Sequence, residues 1–231
     1  MPYRGVIFDL YGTLIDGWDV TQARQRTTQL AEALQAPLKP FQELMERTYT
    51  ERATAALGDL PQMLRELCRR VGHEPQAAAL ERAAVLRWEQ FREVLSRPRE
   101  ETPSLLATLR DRGLQVGVIS DSSSETPEIW PTLSWTAPIQ VALFSWTERR
   151  RKPAPELYHK ALAGLGLHAS EALYIGDGGS QELSGAESCG LTALRIDHHP
   201  TDPEAHLRFD PDEAWRGREL GTLTEILALV S

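Results

Sequence analysis

An acidic residue closing an apolar run is the first feature able to do chemistry. Gly5-Val6-Ile7-Phe8 leads straight into Asp9, and Leu10-Tyr11-Gly12-Thr13-Leu14 follows. A carboxylate at the end of a buried strand stands where α/β proteins bind ligands. Gly12 allows a tight turn that points the next backbone N–H groups toward an anion. The plainer reading is an Asp that ends a strand and caps the turn after it.

Three further groups lie along the chain. Ser120 ends the run LQVGVIS and is followed by Asp121. Its hydroxyl can donate to a phosphate or carboxylate oxygen, although strands often end in serine. Lys152 stands in Arg149-Arg150-Arg151-Lys152-Pro153-Ala154-Pro155, one of only three lysines, with Lys39 and Lys160, among 25 basic residues. A compact ammonium there can neutralise a carboxylate and a transferred anion, or the run can be a solvated basic face. Asp177 and Glu182 flank Gly178-Gly179-Ser180-Gln181. Two acids across a glycine-rich turn suit a hard cation such as Mg²⁺, which takes a few carboxylates plus waters. Turn chemistry with Glu182 as a helix-start charge is the alternative.

These residues need a scaffold that brings strand ends together. Continuous apolar runs at 5–10, 114–120, 139–145, 172–176 and 191–196 predict strands buried on both faces, the habit of a parallel sheet. Helical spacing at 103–112, 155–165, 181–188 and 219–230, punctuated by proline and glycine, alternates with them. A doubly wound α/β fold follows. Residues 19–98 interrupt the alternation with four amphipathic helices, expected at 19–34, 40–57, 60–71 and 75–95. The division predicted is a core of residues 1–18 and 99–231 with an inserted helical cap at 19–98, roofing the ligand crevice. Residues 197–218 are polar, hold three prolines and read as surface loop.

The order of the motifs is more telling than any one of them. Asp-x-x-Gly-Thr, a strand-ending Ser, Lys-Pro, then Gly-Asp with a further acid resembles the four-motif set of the haloacid dehalogenase superfamily, and 19–98 fits its cap position. The resemblance spans nearly the whole chain. It implies a hydrolase in which Asp9 is the nucleophile, forming an acyl-type ester or an aspartyl phosphate that water cleaves. It places Asp9, Tyr11, Ser120 and Lys152 in the catalytic group, and Thr13, Ser120, Asp121 and Lys152 around the substrate. It implies Mg²⁺ held by Asp9, the Leu10–Tyr11 segment, Asp177 and Glu182.

Two departures pull apart. Phosphatases of the superfamily place a second Asp two residues after the nucleophile as general acid, and this chain has Tyr11. General acid catalysis contributes typically about 10²–10⁴-fold, and a tyrosine hydroxyl is a poor substitute. Tyr11 resembles the dehalogenase branch, whose halide leaves unprotonated; Tyr158 fits that branch too, and Arg47 is a candidate clamp or a solvated residue. The fourth motif points to phosphatases: the dehalogenase asparagine is replaced by Gly179, while Asp177 is present. Carboxylates beside Asp9 make sense with Mg²⁺. The expectation is therefore Mg²⁺-dependent hydrolysis of a small anionic phosphorylated metabolite, with good leaving groups favoured. A metal-independent 2-haloacid dehalogenase and a weakly active or non-catalytic binding protein on the same scaffold remain alternatives. Trp18, Tyr49, Trp88 and Phe91 either line the pocket or belong to core.

Composition narrows the field. The 231 residues are 41% apolar and 25% charged, with a formal net charge of −8, so neither nucleic acid nor an anionic membrane is expected as partner. No apolar stretch reaches the length of a membrane span, and the N-terminus has no signal core. Cys68 and Cys189 stand alone, implying neither a zinc site nor a disulfide framework; a cytoplasmic setting is expected.

Overall fold

The computed structural model describes residues 3–198 and 208–230. Among them six strands form one parallel sheet in the order β3-β2-β1-β4-β5-β6: β1 (Gly5–Phe8), β2 (Gln115–Ser120), β3 (Val141–Phe144), β4 (Ala172–Gly176), β5 (Thr192–Ile196) and β6 (Arg218–Leu220). β1 lies centrally, pairing with β2 and β4. Side chains alternate across the sheet. Val6 and Phe8 join one buried cluster with Leu105, Leu106 and Leu109, while Ile7 joins another with Leu157, Ala161 and Leu162. Both faces are therefore covered, which is why the strands read as unbroken apolar runs.

Six helices lie between β1 and β2 in the chain, the first five being α1 (Val20–Leu34), α2 (Leu38–Arg47), α3 (Tyr49–Ala53), α4 (Leu60–Arg70) and α5 (Ala77–Leu95). Then follow α6 (Thr102–Asp111), α7 (Glu125–Ile129), α8 (Ser145–Glu148), α9 (Pro155–Leu165) and α10 (Glu182–Ser188). Asp19 caps α1 by accepting from the Gln22 N–H, and Asp59 with Gln62 forms a reciprocal cap at α4. The inserted helices bury their own cluster around Leu34, Phe41, Leu64, Leu67 and Leu80. The chain leaves and rejoins the sheet side by side: Ile15 bridges Pro98, and Arg99 N–H and the Thr102 hydroxyl both donate to the Leu14 carbonyl.

Four expectations are corrected. The single helix predicted at 40–57 is split at Thr48, whose hydroxyl bonds back to the Leu44 carbonyl and whose backbone leaves helical geometry. Residues 219–230 do not form a regular helix. Arg218–Leu220 pair with β5 as an edge strand, and Leu223–Ala228 is a 3₁₀ segment that buries Leu223 and Ile226. The predicted surface loop of 197–218 includes that strand's first residue and a packed segment around Trp215; residues 199–207 of it lie outside the described residues. β3 ends at Phe144, and Ser145 already belongs to α8. No helix among the described residues is long and apolar enough to cross a membrane.

The insertion is tied to the core by a buried ion pair. Arg87 on α5 donates through Nε to Glu125 on α7, and both side chains are almost fully enclosed. Burial pushes the Glu125 carboxyl up, but the Arg87 charge and nearby hydrogen bonds outweigh it and hold it below the usual 4.5. Its folded value thus lies under the unfolded one. The stability it contributes is present above pH 4.5 and is lost as pH falls through the depressed value. Glu125→Gln, which strands the Arg87 charge, is expected to cost about 3 kcal/mol in urea unfolding at pH 7. The gap to wild type should narrow once the pH drops below the carboxyl range; a gap that stays constant would refute the assignment.

Candidate active site

Four side chains distant in sequence meet at the carboxyl edge of the sheet. Lys152 Nζ donates to Asp9 Oδ1 and to Glu182 Oε2, each at 2.5 Å. Asp9 follows β1, and Asp177 and Glu182 follow β4, so neighbouring strands deliver the carboxylates, while the segment before α9 brings Lys152. Carboxylate oxygens of Asp9, Asp177 and Glu182 lie within 4.8 Å of one another. Glycines make room: a Cβ on Gly12, whose φ is +81°, would stand 2.5 Å from Asp177 Oδ2, and one on Gly176 would strike the Glu182 carboxylate.

The carboxylates are differently engaged. Glu182, fully buried, accepts from Lys152 and the Tyr174 hydroxyl on Oε2 and from Gly178 N–H on Oε1. Asp177 accepts from Gly179 N–H at 2.9 Å and from Arg208 Nε at 3.0 Å. Asp9 is 5% exposed, while its neighbours Tyr11, Gly12 and Asp177 line a cavity of about 340 Å³. Burial pushes the Asp9 and Glu182 carboxyls above the usual range; Lys152 opposes this, and Asp177 adds to it. Burial likewise works against the Lys152 ammonium, but Asp9 and Glu182 overcome it and keep the lysine protonated.

A divalent cation fits this donor set in charge and in kind. Three carboxylates face one lysine and one arginine, and hard oxygen donors are what Mg²⁺ selects. The Leu10 carbonyl already accepts from the Thr13, Leu14 and Ile15 N–H groups, which leaves the Tyr11 carbonyl as the better candidate of the two. Three hydroxyls at the same edge, Thr13 Oγ1, Ser120 Oγ and Ser122 Oγ, are buried without a hydrogen-bond partner. A buried hydroxyl left unpaired costs about 1–3 kcal/mol, so these are natural donors for a bound anion.

Other expected residues take different parts. Asp121, expected near the substrate, borders the cavity, but its oxygens accept from Lys152 N–H at 3.0 Å and Arg151 Nε at 3.3 Å. Its physical role is to hold the lysine loop; a paired carboxylate gives an anion nothing to bind. Tyr11 donates to or accepts from Thr126 at 2.8 Å, and burial pushes its hydroxyl above its ordinary value. The Tyr158 hydroxyl donates to the Glu182 carbonyl inside the core. Arg47 is exposed on α2 and bonds its own helix. Trp18, Tyr49 and Phe91 line the cavity, whereas Trp88 packs against the cores instead.

Several participants escaped sequence reasoning. Arg208 on Asp177, Tyr174 on Glu182 and Arg151 on Asp121 are partners of the expected residues. Tyr174, in β4 and three residues before Asp177, had a signal in its position; the arginines had none in so arginine-rich a chain. Phe209 stacks on Tyr49 with ring centres 3.6 Å apart, joining the segment after residue 207 to α3.

A twisted parallel sheet with buried acids and a lysine gathered at its carboxyl edge defines a Rossmann-like α/β enzyme. The chain belongs to the haloacid dehalogenase-like hydrolases, whose family model matches residues 3–190. It is 28% identical over 213 residues to the N-acetylmuramic acid 6-phosphate phosphatase of Pseudomonas aeruginosa, covering 91% of this chain and 90% of that one. Phosphoserine phosphatase of Thermus thermophilus is 29% identical over 76% of each chain. Among solved structures, a 2-haloacid dehalogenase from Pseudomonas syringae superposes with a TM-score of 0.72 at 19% identity, covering 98% of this chain and 97% of that one. That likeness concerns the fold.

Removing the lysine tests the geometry directly. Lys152→Met leaves Asp9 and Glu182 without their shared cation, and is expected to cost about 3–5 kcal/mol in urea unfolding. Adding Glu182→Gln should return part of that loss. A Lys152→Met protein as stable as wild type would show that the ion triad is not formed in solution.

Proposed function

We propose that the protein is a Mg²⁺-dependent phosphohydrolase acting on a small phosphorylated metabolite through a covalent Asp9 intermediate. The observation that carries this reading is the convergence of the Asp9, Asp177 and Glu182 carboxylates beside Lys152. Phosphatase relatives covering most of the chain agree with it. A bound Mg²⁺ would neutralise charge on the transferred group and on its oxygens.

The residues then divide the work. Lys152 holds Asp9 Oδ1, which keeps the carboxylate ionised and leaves Oδ2 to attack phosphorus. An O–P bond forms to Asp9 as the bond to the leaving oxygen breaks, and that oxygen departs with the electron pair. Water next attacks the aspartyl phosphate at phosphorus, returning the Asp9 carboxylate and releasing inorganic phosphate. The Thr13 and Ser120 hydroxyls donate to the phosphoryl oxygens, whereas the N–H groups that follow Gly12, expected to face the anion, bond the Leu10 carbonyl instead. The helices of 19–98 act as a cap that excludes water and chooses substrate.

Tyr11 sets the limit on this chemistry. Its hydroxyl is tied to Thr126 and holds its proton more tightly than free tyrosine, so it cannot serve as an effective acid near neutrality. Substrates whose leaving group departs unprotonated, such as acyl or aryl phosphates, are the ones the site suits. Tyr11 also supports the second reading, a metal-independent 2-haloacid dehalogenase, because halide needs no proton.

Parallel assays of phosphate and chloride release, with and without EDTA, separate the two. Phosphate release that EDTA abolishes, and that Asp9→Asn lowers by at least about 10³-fold, is the expected result. Asp177→Asn should raise the Mg²⁺ concentration needed for half-maximal rate. Chloride release from 2-chloropropionate that survives EDTA would overturn the proposal.

A further inference from the structure

Asp177 differs from the other two site carboxylates in the source of its positive partner. Asp9 and Glu182 share Lys152. Asp177 accepts from Arg208 Nε on Oδ2 at 3.0 Å and from Gly179 N–H on Oδ1 at 2.9 Å. The same guanidinium reaches Asp197 Oδ1 through Nη2 at 3.4 Å. Arg208 belongs neither to the sheet nor to the inserted helices; it opens a short segment, 208–212, that lies between β5 and β6 in the chain. A divalent cation held by Asp177 therefore meets a fixed positive charge on the same carboxylate.

Segment 208–212 is fastened on two sides. Toward the acidic loop, Ser180 N–H donates to the Phe209 carbonyl at 2.6 Å, Gln181 N–H to that of Asp210 at 3.0 Å, and Asp212 N–H to that of Gly178 at 2.8 Å. Toward the inserted helices, Phe209 lies on Tyr49 with the ring planes 6° apart. Asp210 accepts from Arg151 Nη1 at 2.7 Å, and that nitrogen also donates to Thr50 Oγ1 at 3.2 Å. Ser180 and Gln181 both have a left-handed backbone, with φ of +55° and +49°. Residues other than glycine keep that conformation only where their surroundings hold them. The two hydrogen bonds to segment 208–212 supply that hold, between the two acids of the loop, Asp177 and Glu182.

We propose that Arg208 is a positioning residue that sets how tightly Asp177 takes a divalent cation and that, through segment 208–212, couples the cation to the attachment of α3. This rests on the Mg²⁺-dependent reading of the site. Guanidinium and cation draw on one carboxylate, so each weakens the hold of the other by the same factor. A cation that takes Asp177 from Arg208 loosens the segment, frees the strained turn at Ser180 and Gln181, and slackens the stack of Phe209 on Tyr49. Both rings line the cavity, so its wall responds to the cation.

Calorimetric titration of the whole chain with Mg²⁺ alone provides the test, with Asp177→Asn to identify the heat that belongs to this site. Arg208→Gln is expected to bind Mg²⁺ at least about tenfold more tightly than wild type, because a like charge has left the same carboxylate. A merely structural arginine would leave the affinity unchanged or weaken it, and either result overturns the proposal. Phe209→Ala keeps every charge and loosens the segment, so it should tighten Mg²⁺ binding several-fold; an unchanged affinity overturns the coupling to α3. Should Arg208→Gln fail to fold, hydrogen exchange on the wild type carries the test. Mg²⁺ should speed exchange of the Ser180 and Gln181 amides, and undiminished protection overturns the proposal. A wild type that takes up no Mg²⁺ removes the cation-dependent reading and this inference with it. Uptake lost in Asp177→Asn but unchanged in Arg208→Gln removes the inference alone.

Discussion

Lys152 lies between two buried carboxylates, and the architecture at the sheet edge is arranged around that contact. Asp9 and Glu182 come from loops after adjacent strands and could not share so small a space as bare anions. One ammonium reaching both converts repulsion into a compact polar network. In the low dielectric of the interior such a network is strong when complete and costly when broken. The surrounding residues complete it. Tyr174 and Gly178 also donate to Glu182, and Asp121 fixes the backbone from which the lysine extends.

That network also sets the orientation of Asp9. One of its oxygens is fixed by the lysine, so the carboxylate has a defined orientation before any substrate arrives. Arg208 plays a comparable part for Asp177 from a segment that also stacks Phe209 on Tyr49. The loop after β1, the acidic loop and helix α3 are thereby in mechanical contact. The insertion adds polar links of its own: Ser145 donates to the Ala53 carbonyl, Arg149 to that of Ala55 and Trp146 to that of Gly58. These contacts hold the helices over the strand ends through backbone acceptors, which do not depend on side-chain identity in the insertion.

The fold was legible because its strands are short, apolar and buried on both sides, a pattern few other elements produce. Asp9, Lys152, Asp177 and Glu182 were legible for a related reason: each is a charge placed abruptly at a strand end or glycine turn. Elsewhere pattern failed for physical causes. β6 is an edge strand whose Arg218 and Glu219 face solvent, so its sequence looks like loop. The break at Thr48 is a departure from helical geometry at one residue whose N–H still reaches the Leu44 carbonyl, which no periodicity records. Asp121 is placed around the substrate by the family resemblance, and its partners Arg151 and the Lys152 N–H are not legible in sequence. Arg87 and Arg208 are indistinguishable in sequence from solvated arginines; only their surroundings separate them. Tyr11 was legible as a departure, and its hydrogen bond to Thr126 explains why it makes so weak an acid.

The side-by-side strands at Ile15 and Pro98 have an evolutionary reading. Everything between them is a long excursion whose two ends are pinned to the same carbonyl, that of Leu14 on one side and its donors Arg99 and Thr102 on the other. Lengthening or exchanging such an excursion alters closure entropy by only about 0.6 kcal/mol per doubling. The helices can therefore diverge, be traded or be rebuilt while Asp9 beneath them keeps its place.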